Sequence, residues 1–396
     1  MTFQQLWAET QPVGRADRWG GYHRILGSSA ELELREWFVG AAASRGMHVE
    51  VDRAGNHWAW LGDPDAARDR GQRPLVVGSH LDSVPGGGAF DGALGVVSAF
   101  AAIDQLTDEG QMPAAPVAVV SFAEEEGSRF GITCLGSRVL MGSLPREEAL
   151  ALRDPDGVTM AEALRASGAD PDAFGPDPEA TARIGTYVEL HIEQGRGLAD
   201  LDRPVAVGSA IRPYGRWRLV LQGEGNHAGT TRMVDRQDPM LVLAEVVRRT
   251  CEAALARDCV ATIGKLHVDP NAANAIPARV TAWLDARGPD EALVHEVAAE
   301  VAAIEGVDSV QDFFTSRESF DGPLAESLAE LLDDAPVLES GAGHDAGTMA
   351  AAGVPSAMLF VRNPTGVSHS PQEHADEADC VEGVRALAQV IRQVAS

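Results

Sequence analysis

PLVVGSHLDSVPGGGAFDGALGVV, residues 74–97, is the stretch that decides the fold. Its apolar start, PLVV, predicts a buried strand, and the apolar run Leu94–Ile103 predicts a helix after the Gly-rich turn. His80, Asp82 and Asp91 therefore fall near the carboxyl end of a strand, where open α/β sheets collect ligands and catalytic groups. Taken alone, the stretch leaves two interpretations open: a divalent metal site that shares Asp91, or a Gly-rich loop with a capping aspartate.

Length and composition narrow the class of protein. With 396 residues and 45% hydrophobic residues, the chain predicts two or three domains with sizeable cores. A net charge of -27 disfavours nucleic acid and anionic membranes as partners. The four cysteines form no CxxC pair, which predicts reduced thiols in a cytoplasmic protein. We expect no signal peptide, because the N-terminus has no basic region before an apolar run, and no membrane span.

The same pattern, an apolar strand followed by metal-capable side chains, recurs three more times. Strand 117–122 leads to Glu124-Glu125-Glu126, strand 186–190 leads to His191, and strand 356–361 precedes His369. Packed carboxylates repel one another, so a cation or raised pKa values must offset their charge. A solvated acidic turn is the alternative for the glutamate triplet.

The sequence also predicts a second, inserted domain. Residues 211–319 have the order β-α-β-β-α-β, which is typical of a ferredoxin-like α+β sandwich. The chain outside it, residues 1–210 and 320–396, is expected to form one discontinuous α/β domain with a mixed sheet and helices on both faces.

Together, the strand ends predict a binuclear metal site. The predicted ligands are two imidazoles, a bridging carboxylate, a terminal carboxylate and a third imidazole: His80, His191, Asp91, Glu126 and His369. This set suits two divalent ions, Zn²⁺ first, with Mn²⁺, Co²⁺ or Ni²⁺ as alternatives. Two such ions about 4 Å apart can lower the pKa of a shared water and polarise a carbonyl.

Two further carboxylates have predicted roles beside the ions. Glu125 neighbours ligand Glu126 but points differently, so it stays free to act as the general base. Asp82 lies two residues from His80 and is expected to orient that imidazole rather than bind metal.

Six motifs in order give a resemblance that covers nearly the whole chain: GSHLDS…GGAFDG, FAEEEGSRFG, HIEQG, GEGNHAGTT, PNAANAIP…LDAR and GVSHSP. They resemble the M20-type amidohydrolases, within the branch of N-carbamoyl-L-amino-acid hydrolases, β-ureidopropionases and allantoate amidohydrolases. The resemblance implies the metal ligands and base named above, a metallohydrolase domain, and a homodimer built through the inserted lid domain. Related peptidases usually have a carboxylate where His191 stands, which favours the carbamoyl-amidase branch.

The resemblance also implies four substrate-contacting residues: Gln194, His227, Asn274 and Arg287. Arg287 offers a bidentate fork for a carboxylate, and His227 is suited to stabilise an oxyanion. His344 in GAGHDAG has two open interpretations, support of the metal ligands or simple packing.

The predicted function is metal-dependent hydrolysis of a linear C–N bond in a small carboxylate substrate, an N-carbamoyl-L-amino acid or allantoate, with release of ammonia and CO₂. An aminoacylase or peptidase on the same scaffold is an alternative, and an N-formyl or N-formimidoyl amino acid would suit the same machinery. A non-catalytic metal-binding protein is disfavoured, because metal storage needs no free base such as Glu125.

Overall fold

A computed structural model of the protein describes residues 1–16 and 20–396. The chain divides into two compact units, Met1–Ala210 with Ser319–Ser396, and Ile211–Glu318. Within the described residues, no helix combines the length and the apolar character needed to cross a bilayer.

The strands are numbered in chain order. They are β1 His48–Val51, β2 His57–Leu61, β3 Leu75–His80, β4 Val117–Phe122, β5 Thr186–Ile192, β6 Val205–Ile211, β7 Tyr214–Gln222, β8 Asn226–His227, β9 Val260–Asp269, β10 Ala275–Ile276, β11 Arg279–Arg287, β12 Val307–Thr315, β13 Glu318–Ser319, β14 Val337–Ser340 and β15 Ser356–Val361.

The α-helices are numbered in the same way. They are α1 Phe3–Thr10, α2 Ser29–Ala43, α3 Pro64–Asp69, α4 Ala93–Asp108, α5 Leu135–Leu140, α6 Arg146–Ala151, α7 Met160–Ala166, α8 Pro178–Thr181, α9 Gly197–Leu201, α10 Pro239–Leu255, α11 Glu291–Ala302, α12 Gly322–Leu331, α13 Asp345–Ala351 and α14 Glu377–Val394.

A mixed sheet organises the first unit. Among the described residues it has nine strands, in the order β1-β2-β4-β3-β5-β15-β6-β13, with β14 paired to β6. The four central strands β4, β3, β5 and β15 run parallel, whereas β2 and β6 pair antiparallel with this group. Because parallel strands end at the same edge, the residues that follow β3, β4, β5 and β15 converge there.

Both faces of this sheet are covered, because alternate side chains of its central strands point in opposite directions. One set packs with helices α2, α4 and α14 in a single apolar cluster that includes Leu75, Val77, Val117 and Val119. The intervening Val76 and Val120 are equally buried, and α13 packs on β5 and β15. The predicted fold class, an α/β domain with a mixed sheet and helices on both faces, is confirmed.

The second unit has the ferredoxin-like topology that the sequence predicts. Its four-stranded sheet has the order β12-β7-β11-β9, and every neighbouring pair is antiparallel. Helix α10 begins at Pro239, where Asp238 caps the first turn through the Met240 N–H. Burial of the apolar faces of α10 and α11, including Leu243, Val246, Val294 and Val297, against the sheet forms a separate core.

Candidate active site

The five predicted metal ligands lie together at the carboxyl edge of the parallel strands. His80 ends β3, Asp91 directly precedes the Gly92–Ala93 start of α4, Glu126 follows β4, His191 lies in β5 and His369 follows β15. Four separate segments therefore contribute to one site, and the folded sheet brings them together.

Asp91 is at the centre of this cluster, and its two oxygens face different partners. Oδ1 lies 3.2 Å from His191 Nε2 and 3.6 Å from His80 Nε2. Oδ2 lies 3.3 Å from His369 Nε2, which is in turn 3.4 Å from Glu126 Oε2. The donors thus form two groups, His80–Asp91–His191 and Asp91–Glu126–His369, that share one carboxylate.

The spacing of these donor atoms fits a pair of divalent ions. A tetrahedral ion with ligand bonds of about 2.0–2.1 Å places its ligands about 3.4 Å apart. The donor pairs around Asp91 span 3.2–3.6 Å. Imidazole nitrogens and carboxylate oxygens are also the ligand types that such ions prefer.

The electrostatics of the cluster likewise favour a cation. Burial, followed by the negative charge of Asp91, raises the pKa of Glu126 to about 7. Burial opposes protonation of His80, but neighbouring carboxylates, above all Glu125, outweigh it and raise its pKa well above the ordinary value. The hydrogen bond to Asp91 raises the pKa of His369 to about 9. The crowded carboxylates thus favour positive charge at this place, either as protons on the ring nitrogens and carboxyl groups or as bound cations.

Glu125 is buried beside the two groups and belongs to neither. Its Oε2 is 3.6 Å from His80 Nε2. Its Oε1 accepts a hydrogen bond from the Cys134 thiol at 3.2 Å, and its carbonyl accepts one from the Cys134 N–H at 2.6 Å. Burial, together with the charges of Asp345 and Glu126, raises its pKa well above the ordinary carboxyl value. A carboxylate with a raised pKa is a stronger base, which suits a group that takes up a proton and later returns it.

Asp82 contacts both the Glu125–Glu126 pair and His80. Its carboxylate accepts the Glu125 N–H at 3.2 Å and the Glu126 N–H at 3.1 Å. His80 Nδ1 lies 3.5 Å from Asp82 Oδ1 and 3.2 Å from the Asp82 carbonyl oxygen. Asp82 is therefore placed to orient the glutamate pair as well as His80.

Gln194 and His344 lie next to the ligands in the same unit. Gln194 Nε2 donates to Asp91 Oδ2 at 3.0 Å and to Ser368 Oγ at 3.1 Å. The His344 ring packs edge-on against His191, with centroids 4.6 Å apart, and its Nε2 is 3.0 Å from Ser340 Oγ. His344 thus contacts a candidate ligand directly, and burial followed by the charge of His191 lowers its pKa well below the ordinary value.

Several buried polar groups beside the candidate ligands were not predicted from the sequence. Glu189 accepts hydrogen bonds from Ser79 Oγ at 2.7 Å and the Ala346 N–H at 2.9 Å. It forms a third donor group with His191 and His344 in the described residues, and each of its two oxygens accepts one of these hydrogen bonds. An acidic residue inside an apolar strand was a sequence signal for Glu189, whereas nothing in the sequence marked Cys134.

The other predicted site residues belong to the second unit. His227 and Asn274 lie side by side, because His227 pairs with Ala275 and the Ala228 N–H donates to the Asn274 carbonyl oxygen at 3.0 Å. Arg287 is the last residue of β11 and pairs with Tyr214 of β7. Its Nε donates to Asp285 at 2.9 Å and its guanidinium lies 5.2 Å from the Tyr214 ring centroid.

The fold and the donor groups define an α/β enzyme scaffold with a metal-capable site at the end of a parallel sheet. The chain belongs to the peptidase family M20/M25/M40, which matches residues 76–393. This membership confirms the predicted family.

Similar proteins cover almost the whole chain. The N-carbamoyl-L-amino acid amidohydrolase of Geobacillus stearothermophilus is 34% identical over 99% of this chain and 98% of its own length. The allantoate amidohydrolase of Escherichia coli (strain K12) is 32% identical over 99% of this chain and 98% of its own length. A crystal structure of AtUAH in complex with (S)-hydroxyglycine has a TM-score of 0.85 at 27% identity, covering 99% of this chain and 97% of that one. These similarities confirm that the protein is a hydrolase.

Proposed function

We propose that the protein hydrolyses a linear C–N bond in an N-carbamoyl-L-amino acid or in allantoate, releasing ammonia and CO₂ with the help of two divalent metal ions. The observation that carries this proposal is the pair of donor groups that share Asp91, with buried Glu125 beside them. The names of the amidohydrolase relatives support a non-peptide C–N bond as the target.

The proposed ions are held by His80, Asp91 and His191, and by Asp91, Glu126 and His369. Mixed nitrogen and oxygen donors make Zn²⁺ our first candidate, with Mn²⁺, Co²⁺ and Ni²⁺ as alternatives. When bound, such a pair supplies Lewis acidity that lowers the pKa of the attacking water toward roughly 7 and polarises the substrate carbonyl.

Glu125 is the proposed general base. It takes a proton from the attacking water and later returns it to the leaving nitrogen. Its contacts with the Cys134 thiol and backbone hold the carboxylate in place. Asp82 supports the same geometry through the Glu125 and Glu126 N–H groups.

The substrate carboxylate is the proposed ligand of Arg287. A planar guanidinium can bind a carboxylate through two parallel hydrogen bonds. Gln194 and Asn274 add neutral hydrogen bonds, and His227 stabilises the oxyanion that forms as water attacks. The substrate is thus a small carboxylate, as is the (S)-hydroxyglycine bound to the AtUAH relative.

We propose a homodimer formed through the second unit, in which His227 completes the site of the partner chain. The four-stranded sheet itself supports this arrangement. The loop with His227 leaves β7 at Gln222, opposite Arg279, whereas Arg287 lies opposite Tyr214. Eight residues of strand separate these ends by roughly 26 Å, which favours different chains as the sources of Arg287 and His227 for one substrate.

The proposed location is the cytoplasm. All four cysteines are free thiols, three of them buried, which suits a reducing compartment.

A substrate panel tests the proposed activity. Metal-loaded enzyme is offered an N-carbamoyl-L-amino acid, allantoate, an N-formyl-L-amino acid, an N-acetyl-L-amino acid and a dipeptide. We expect ammonia release from one of the first two. Turnover of only the acetylated compound or the dipeptide, without ammonia, would instead identify an aminoacylase or peptidase.

A further inference from the structure

A buried carboxylate, Glu373, supports the loop that carries Asp91. Glu373 is 5% exposed. Its Oε1 accepts hydrogen bonds from two successive backbone N–H groups, Phe90 at 2.7 Å and Asp91 at 3.0 Å. Paired N–H donors on one oxygen fix the direction in which this part of the loop runs.

The second oxygen of Glu373 reaches the segment that carries His369. Ser368 Oγ donates to Glu373 Oε2 at 3.3 Å. The next residue, His369, has a left-handed backbone with φ 53°, and its side chain is 51% exposed. A non-glycine residue in this region needs support from its surroundings.

Gln194 closes the network into a ring. Its Nε2 donates both to Ser368 Oγ at 3.1 Å and to Asp91 Oδ2 at 3.0 Å. Hydrogen bonds therefore connect four residues in a closed ring: Glu373, Ser368, Gln194 and Asp91. The ring joins three segments that are distant in sequence.

Gly88 leaves the space that this arrangement needs. A Cβ on residue 88 would lie 2.2 Å from Glu373 Oε1 and 2.5 Å from its Cβ. A side chain at this position would therefore push the carboxylate away from the Phe90 and Asp91 N–H groups.

We propose that Glu373 is a positioning residue that holds Asp91 and His369 at the separation a divalent ion requires. It binds neither ion itself, since its oxygens are directed at Phe90, Asp91 and Ser368. The inference rests on the proposed function, because it presupposes that the Asp91–Glu126–His369 group binds metal.

Metal affinity, measured on metal-free protein by competition with a chromophoric chelator for Zn²⁺, tests this role. Glu373→Ala should weaken Zn²⁺ binding by about 10- to 100-fold, the usual effect of losing a group that orients ligands. Ser368→Ala and Gly88→Ala should weaken it in the same direction. Glu373→Gln keeps an acceptor for the two N–H groups and should retain much of the affinity.

Gln372→Ala is the matched control, because Gln372 is the exposed neighbour of Glu373 and contacts Ser370. It should bind Zn²⁺ like the wild type. A merely structural Glu373 would lower the melting temperature of the metal-free protein without changing Zn²⁺ affinity, and that result would overturn the inference. Should Glu373→Ala fail to fold, unchanged affinity in Ser368→Ala and Gly88→Ala would overturn it equally.

The outcome also separates this inference from the proposed function. A wild-type chain that binds fewer than two ions would contradict both. A wild-type chain that binds two ions, with variants that bind them equally well, would contradict only the role of Glu373.

Discussion

Replacing Glu125 with glutamine separates the proposed base from the proposed metal ligands. Gln has nearly the same size, and its side-chain oxygen can still accept from the Cys134 thiol, which lies 3.2 Å from Glu125 Oε1. The substitution keeps the shape of the side chain but removes its negative charge and its ability to take up a proton. Because Glu125 is outside both donor groups around Asp91, metal content should not change.

The expected loss of activity follows from the cost of a missing proton transfer. General-base catalysis contributes about 10²- to 10⁴-fold, or about 2.7–5.4 kcal/mol of barrier. The stability of the metal-free protein should instead increase in Glu125→Gln. Burial and nearby carboxylates, with Asp345 first among them, raise the pKa of Glu125, so its ionised form destabilises the metal-free fold.

The sign of the pH dependence is therefore defined. When the pKa of a carboxyl group is higher in the folded than in the unfolded state, the protein becomes less stable as the pH rises above the unfolded-state pKa. The melting temperature of metal-free Glu125→Gln should exceed that of the wild type at neutral pH, and the difference should shrink as the pH falls.

The assay combines kcat from ammonia release, elemental metal analysis and calorimetry of metal-free protein. A loss of about one ion per chain in Glu125→Gln would show that Glu125 is a ligand. Activity within tenfold of the wild type would refute its role as base.

Three further predictions concern substrate binding, assembly and packing. Arg287→Lys should lower kcat/KM by about 10- to 100-fold for a carboxylate substrate, and by much less for an analogue whose carboxylate is an amide; equal losses would assign Arg287 a structural role. Inactive His227→Ala and Glu125→Gln chains refolded together should regain about half of wild-type activity per mixed dimer, because one of two sites is whole; no recovery in proven mixed dimers would contradict an exchange of His227. Gly92→Ala should reduce metal binding, since a Cβ there would lie 2.3 Å from the His80 ring; normal metal content would refute this.

Gly40→Ala is the control for the glycine substitution. Gly40 is an exposed residue inside α2, and a Cβ on it meets no atom within 4 Å. Alanine should therefore stabilise the helix by about 1 kcal/mol and leave metal binding unchanged.

Much of the fold was predictable because the secondary structure that the local sequence pattern favours is also the one that the folded protein adopts. The apolar run Val117–Phe122 is a strand with the predicted limits, and the amphipathic pattern of residues 239–255 coincides with the helix Pro239–Leu255. Both are long, uninterrupted patterns with clear boundaries. Within residues 145–180, which are rich in Pro, Asp and Ala, three short helices form at Arg146–Ala151, Met160–Ala166 and Pro178–Thr181. Such single turns depend on neighbouring contacts and carry little periodicity.

The candidate site was predictable where strand ends deliver side chains to a common edge. The ends of parallel strands are expected to bring His80 and His191 beside Asp91, and the structure has them there. The supporting contacts of Cys134 with Glu125 and of Glu373 with Asp91 were not predictable, because they are made through loops whose paths are set by tertiary packing. Nor does sequence spacing indicate that Arg287 and the loop with His227 lie toward opposite ends of one sheet.

Metal stoichiometry tests the central claim most directly. Purified protein would be stripped with a chelator, reloaded with Zn²⁺ or Mn²⁺, freed of excess ion and analysed for bound metal per chain. The shared carboxylate of Asp91 between two donor groups predicts close to two ions per chain, with activity lost on stripping and restored on reloading. Less than one ion per chain, together with activity that survives the chelator, would contradict the account.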